Sequence, residues 1–117
     1  MFGESLKLFV DDIRECPKGW TPARSVTEAI RILATQTVDE VSLDHDIVDG
    51  RSSPFSVVAS EETFMTVAFY INLMVEKPKI RIHTANIPKG YEMAKLLGIK
   101  YTGYFYDPKD YDAEETR

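Results

Sequence analysis

Two short apolar runs in this chain end in clustered carboxylates, Leu8-Phe9-Val10-Asp11-Asp12 and Val41-Ser42-Leu43-Asp44-His45-Asp46. Adjacent like charges at the end of a buried strand cost energy unless something positive neutralises them. The fold must therefore bring both ends to a place where a cation can reach them. A divalent metal with oxygen ligands is the simplest neutraliser.

The rest of the chain says how the two ends could meet. Leu6 to Val10 reads as a first strand, and Asp11 to Trp20, with Pro17 and Gly19, as a loop. A brief second strand is expected over Ala23–Val26. Ser25 and Glu28 then have capping-box spacing, opening a helix that would bury Val26, Ala29, Ile30 and Leu33. Glu40 to Leu43 forms a third strand, followed by a long loop from Ile47 to about Ser60. Glu61 to Glu76 is expected to be the longest helix, its leading glutamates suiting the positive end of the dipole. From Phe64 to Val75 it is apolar nearly all round, so it is either deeply buried or half of a homodimer contact. Lys79 to His83 is a fourth strand, and Lys100 to Tyr106 a final one. Between them lies a helix capped by Asn86, with Pro88 in its first turn and Gly98 at its end.

Strands alternating with helices favour a mostly parallel sheet with helices on both faces. In such sheets ligands bind outside the carboxyl ends of the strands. Asp11, Asp12, Asp44, His45, Asp46, His83 and Thr84 all fall at or just past such ends, with Asn86 on the same edge. Residues 1–106 are expected to form one α/β domain, with an acidic tail over 107–117.

Composition narrows the chemistry. With 117 residues and a net charge of −5, the chain has no broad surface for nucleic-acid backbones. A small phosphate or nucleotide-end ligand held through a metal remains open. A single cysteine, Cys16, excludes an intrachain disulfide and a cysteine-based zinc site. No apolar run is long enough for a membrane span, and the first residues lack a signal-peptide pattern, so a cytoplasmic setting is expected. Gly-rich phosphate loops, serine elbows and zinc-protease helices are absent.

On the rim, Asp11 and Asp12 are candidate metal ligands; the alternative is an Asx turn into the loop. Asp44 and Asp46 share parity if the extended backbone continues, so both could grip one cation while His45 points away. Oxygen ligands favour Mg²⁺, with Mn²⁺ next, and inward His45 would bring Mn²⁺ or Fe²⁺ into range. His83 could act as general acid or base, Thr84 could bond a phosphoryl oxygen, and Asn86 at its helix start and Arg14 could hold the phosphate. Each of these residues also has a plain structural reading, as a cap or a packed histidine.

An acidic pair after the first strand, Asp44 after the third and Thr84 after the fourth resemble the receiver domains of two-component response regulators. The resemblance implies a flavodoxin-like three-layer sandwich with a five-stranded sheet. It further implies a Mg²⁺ site at Asp11 and Asp12, Asp44 as phosphoacceptor and Thr84 as the switch hydroxyl. Two departures stand against phosphorelay signalling. The Lys that receivers carry after the fifth strand is replaced by Tyr104-Phe105-Tyr106-Asp107-Pro108, and His45 and His83 are extra.

A narrower group is closer. Phe9-Val10-Asp11-Asp12-Ile13-Arg14, Pro17 to Trp20, Ser42-Leu43-Asp44-His45-Asp46 and His83-Thr84-Ala85-Asn86 resemble the cyclic-phosphate-processing receivers. That likeness implies a metal-dependent phosphoesterase with Asp11, Asp12 and Asp44 as ligands and His45 or His83 as the acid–base, Asp44 thereby joining the catalytic set. The alternatives are a stand-alone receiver or pseudo-receiver that only signals or binds, and a Toprim-like metal site built on the acid–x–acid pair.

Overall fold

The computed structural model describes residues 5–47 and 63–101. Four strands, β1 (Leu6–Val10), β2 (Thr21–Ala23), β3 (Val38–Leu43) and β4 (Lys79–Ile82), form one parallel sheet in the order β2-β1-β3-β4. Three helices accompany them: α1 (Val26–Thr35), α2 (Met65–Leu73) and α3 (Ile87–Leu97).

Strand period places Leu8 and Val10, Val41 and Leu43, and Ile80 and Ile82 on one face, in register across the sheet. All three helices pack there, with Val26, Ala29, Leu33, Phe64, Val67, Ile71 and Met93 in the same core cluster. The steps from β2 to β3 and from β3 to β4 run in one direction across the sheet. Right-handed crossovers therefore put α1 and α2 on the same side. The step from β1 to β2 runs the other way. Its connection is the loop over 11–20, and beneath it lies a second small cluster of Phe9, Trp20 and Cys16.

Two expectations are met only in part among the described residues. Among the described residues the helices form one layer, not the two outer layers of a three-layer sandwich, because no helix is built between β1 and β2. Among the described residues the sheet has four strands, where five were expected. Lys100 and Tyr101 are not in a strand, and positions 102–106 lie outside the described residues. The acidic tail lies outside them too.

The boundaries follow local chemistry. Ser25 caps α1 by accepting from the Glu28 amide at 3.1 Å, which ends β2 at Ala23, three residues before the expected stretch closes. Pro22 is tolerated because β2 is an edge strand. The Glu28 side chain completes the box one residue early, accepting from the Arg24 amide at 2.6 Å. α2 stops at Leu73, short of the expected Glu76. Pro78 opposes further helix, and Lys77 Nζ bonds the Met74 carbonyl at 3.0 Å. Glu61 and Glu62 lie outside the described residues. α2 buries Val67, Ala68 and Ile71 but leaves Phe69 and Leu73 largely exposed, so its apolar circumference is only half used by this core. No helix among the described residues is long and apolar enough to cross a membrane.

Asn86 caps α3 and Gly98 ends it in the left-handed region at φ 69°, as the sequence predicts. Gly90 within α3 has a different purpose. A Cβ there would come within 2.5 Å of the Tyr101 ring and 3.0 Å of Thr84 Cγ2. The close approach lets the Tyr101 hydroxyl donate to the Thr84 carbonyl at 2.7 Å. Gly90→Ala is expected to lower unfolding stability by about 1–2 kcal/mol, overpacking outweighing the gain in helix propensity. In a Tyr101→Ala background the same substitution should become neutral or stabilising, which a double-mutant cycle in urea would read.

Candidate metal and phosphate site

β1 and β3 are neighbours whose following connections leave on opposite faces, so the crevice between their carboxyl ends is the switch point of this sheet. Asp11 follows β1 and Asp44 follows β3, and the Asp44 amide donates to the Val10 carbonyl at 3.0 Å. Pairing thus carries one residue past the strand and locks the two acids side by side. Asp11, Asp12 and Asp44 each offer a carboxylate oxygen, all within 4.8 Å of one another. Asp11 and Asp44 are buried and Asp12 half-buried. The donor set is all carboxylate oxygen, which fits a hard divalent cation.

Asp11 is held on every side. Its Oδ1 accepts from the amides of Ile13 at 3.0 Å and Arg14 at 2.9 Å, an Asx-type turn. Its Oδ2 accepts from His83 Nε2 at 2.9 Å and lies 3.0 Å from Arg14 Nη1. Oδ1 thus realises the turn reading of Asp11, while Oδ2 faces His83 and Arg14. Burial alone would raise its pKa. The bond from His83, then those from the Arg14 and Ile13 amides and the Arg14 side chain, reverse this and hold it far below the usual range.

His83 is fully buried and stacks on Phe9 at 4.6 Å between ring centres. Its Nε2 lies 2.9 Å from Asp11 Oδ2 and its Nδ1 2.7 Å from the Ser42 hydroxyl, so the ring bridges Asp11 and Ser42. So placed, it orients a carboxylate and is sealed from solvent. Ser42 belongs to this chain of bonds although the sequence reading passed over it. A hydroxyl between two buried apolar residues of a strand was the available signal.

Asp44 differs from Asp11 in its support. Its carboxylate takes the His45 amide at 2.8 Å and lies 3.2 Å from Arg14 Nη1. Burial pushes its pKa up and repulsion from Asp11 adds to that, with His83, the His45 amide and Arg14 pulling the other way. Arg14 itself is kept charged: burial disfavours its cation, but the bond to Asp11 and the fields of both acids outweigh it. Arg24, which no sequence signal singled out, fixes this loop by donating to the carbonyls of Asp11 at 3.1 Å and Arg14 at 2.5 Å.

Asp46 is not part of the cluster. Strand geometry ends at Leu43, and Asp46 pairs instead with Thr63 in an antiparallel bridge, so the alternation that would have aimed it beside Asp44 is lost. Its carboxylate accepts from His45 Nδ1 at 2.7 Å and from Asn86 Nδ2 at 3.1 and 3.2 Å. An Asn86–Asp46–His45 relay results. The other end of the Asn86 amide accepts from the Lys89 amide at 3.3 Å as the α3 cap, and Thr84 Oγ1 accepts from the Asn86 amide at 3.1 Å. His45, nearly buried, also lines a groove of about 400 Å³ between α2 and α3, with Met65, Phe69, Leu96 and Lys89.

A parallel sheet with an acidic crevice at its switch point defines a receiver-type domain. The family model for the cyclic-phosphate processing Receiver domain matches residues 6–98, and the chain belongs to that family. No curated protein and no solved structure matches it.

The two central acids should be separable by pH in metal-free protein. A carboxylate with a depressed folded pKa adds stability that is complete above the ordinary aspartate value of about 3.9 and is lost as pH falls below it. Asp11→Asn is therefore expected to destabilise at neutral pH, by about 1.5–3 kcal/mol for each charge-assisted bond lost. A raised folded pKa has the opposite sign, stability falling as pH rises through the window above the unfolded value. Asp44→Asn should thus stabilise the protein at pH 7, the gain shrinking as pH falls toward 4. Urea unfolding across that range in the presence of EDTA would check both.

Proposed function

We propose that this protein is a metal-dependent phosphoesterase acting on small phosphate esters, with cyclic phosphates at nucleotide ends as the substrate class. The observation that carries the reading is the approach of the Asp11, Asp12 and Asp44 oxygens to within 4.8 Å of one another at the sheet's switch point. Membership of a family described as cyclic-phosphate processing supports the substrate class.

Asp11, Asp12 and Asp44 would hold the ion, Mg²⁺ or Mn²⁺. Bound there, it would supply charge neutralisation for a phosphoryl oxygen. The chain's own residues do the rest. Asp46 accepts from His45 Nδ1, which fixes the tautomer and leaves Nε2 as the basic nitrogen, able to take a proton from an attacking water and return it to the leaving oxygen. Asn86 holds Asp46 for that task. His83 positions Asp11 and does not touch substrate. Arg14 meets the phosphate, and Thr84 sets the start of α3. The groove beside His45 suits the organic half of an ester.

Turnover of 2′,3′-cyclic nucleotides is expected with Mn²⁺ or Mg²⁺ and lost in EDTA. His45→Ala should lower kcat by about 10²–10⁴-fold with metal binding retained. Asp46→Asn should lower kcat through the wrong tautomer while leaving Mn²⁺ affinity unchanged, because Asp46 lies outside the ligand cluster. Full turnover in His45→Ala would remove His45 from the mechanism. No metal-dependent turnover, together with a change of shape or oligomeric state on adding beryllofluoride, would instead favour a signalling receiver with Asp44 as phosphoacceptor.

A further inference from the structure

We propose that Arg14 is the built-in counter-ion of the acidic cluster, and that it leaves the carboxylates for the phosphate when metal binds. Metal and phosphate would then strengthen each other's binding through this one side chain. The inference rests on the metal-and-phosphate reading above and adds how that site is controlled.

A single nitrogen carries the argument. Arg14 Nη1 lies 3.0 Å from Asp11 Oδ2 and 3.2 Å from Asp44 Oδ2, bridging two of the three carboxylates that approach within 4.8 Å of one another. A divalent ion held by the same pair would stand against a guanidinium bonded to the same oxygens. Like charges at that spacing exclude one another in a crevice with little water to screen them. Metal alone must therefore displace a bonded cation before it can bind.

Arg14 is built to move without disturbing the site. Its amide is tied to Asp11 Oδ1 and its carbonyl to Arg24 Nη1, so its backbone is fixed independently of where its side chain points. The side chain itself is 28% exposed, while those of Asp11 and Asp44 are at 0% and 7%. The Arg14 side chain is thus a part-exposed cover over a buried acid pair. A phosphate offers it the bidentate acceptor geometry that it prefers. Rotation about the side-chain torsions would exchange two carboxylate bonds for two phosphate bonds and vacate the space a metal needs. By linkage the effect is reciprocal: phosphate raises metal affinity as much as metal raises phosphate affinity.

Arg14→Gln removes the competing charge and keeps a polar side chain; Arg14→Lys keeps the charge but not the fork. Mn²⁺ binding to the metal-depleted full chain would be titrated calorimetrically, with and without saturating inorganic phosphate, each variant's fold being verified by its cooperative urea transition. In the wild type, phosphate is expected to raise Mn²⁺ affinity about tenfold or more, within the usual range of coupling. Arg14→Gln should bind Mn²⁺ alone about fivefold or more tighter than wild type and lose most of the phosphate effect. Arg14→Lys should bind Mn²⁺ alone no tighter than wild type. Equal or weaker Mn²⁺ binding by Arg14→Gln, or undiminished coupling in that variant, overturns the proposal while leaving the metal site standing. Absence of Mn²⁺ binding in every protein overturns the metal site and this inference together.

Discussion

The carboxylate of Asp11 is the point on which this structure depends. It is fully buried and ionised, and that is affordable only because four donors converge on it: His83, the Arg14 side chain, and the amides of Ile13 and Arg14. These donors come from the end of β4 and from the loop after β1. Through the second nitrogen of His83 the bonding continues to Ser42 of β3. One charge thus ties together the three strands whose ends shape the crevice. Removing it would leave a buried histidine and a guanidinium facing each other without their shared acceptor, the costly kind of loss.

The neighbouring acid is arranged differently, and the difference is chemically useful. Asp11 is strongly stabilised as an anion, whereas Asp44 is buried beside it with fewer donors and pays for its charge. A pair in which one acid is fixed and the other undercompensated has affinity for a further positive charge. Arg14 supplies that charge from within the chain, and the proposed metal would take its place. Histidines divide along the same line: His83 is sealed among Phe9, Ser42 and Asp11, while His45 stands at the edge of the α2–α3 groove with Asp46 behind it.

Much of this was legible in the residues. The capping signals at Ser25 and Asn86 and the glycine at position 98 mark real helix ends, because caps depend on a few adjacent residues. Strand-terminal acids marked the crevice because parallel sheets gather such ends on one rim. Asp46 was misplaced for a physical reason: strand parity was extended past Leu43, where a bridge to Thr63 redirects the backbone. The face on which the loop over 11–20 lies was likewise not readable, since it follows from the direction of one crossover. Arg24 and Ser42 escaped notice because their importance lies in partners far along the chain: thirteen residues from Arg24 to the Asp11 carbonyl and forty-one from Ser42 to His83.

By itself, the sequence determined that this chain forms a parallel α/β sheet with carboxylates at its strand ends, and which residue types could act there. Hydrophobic period and capping are local, so they survive without knowledge of the fold. Only the tertiary structure decided how those groups are partnered. It set His83 behind Asp11, Asp46 behind His45 and Arg14 across the acid pair. Those assignments depend on distances of about 3 Å between residues one to seventy-two positions apart, and no strand or helix period encodes them.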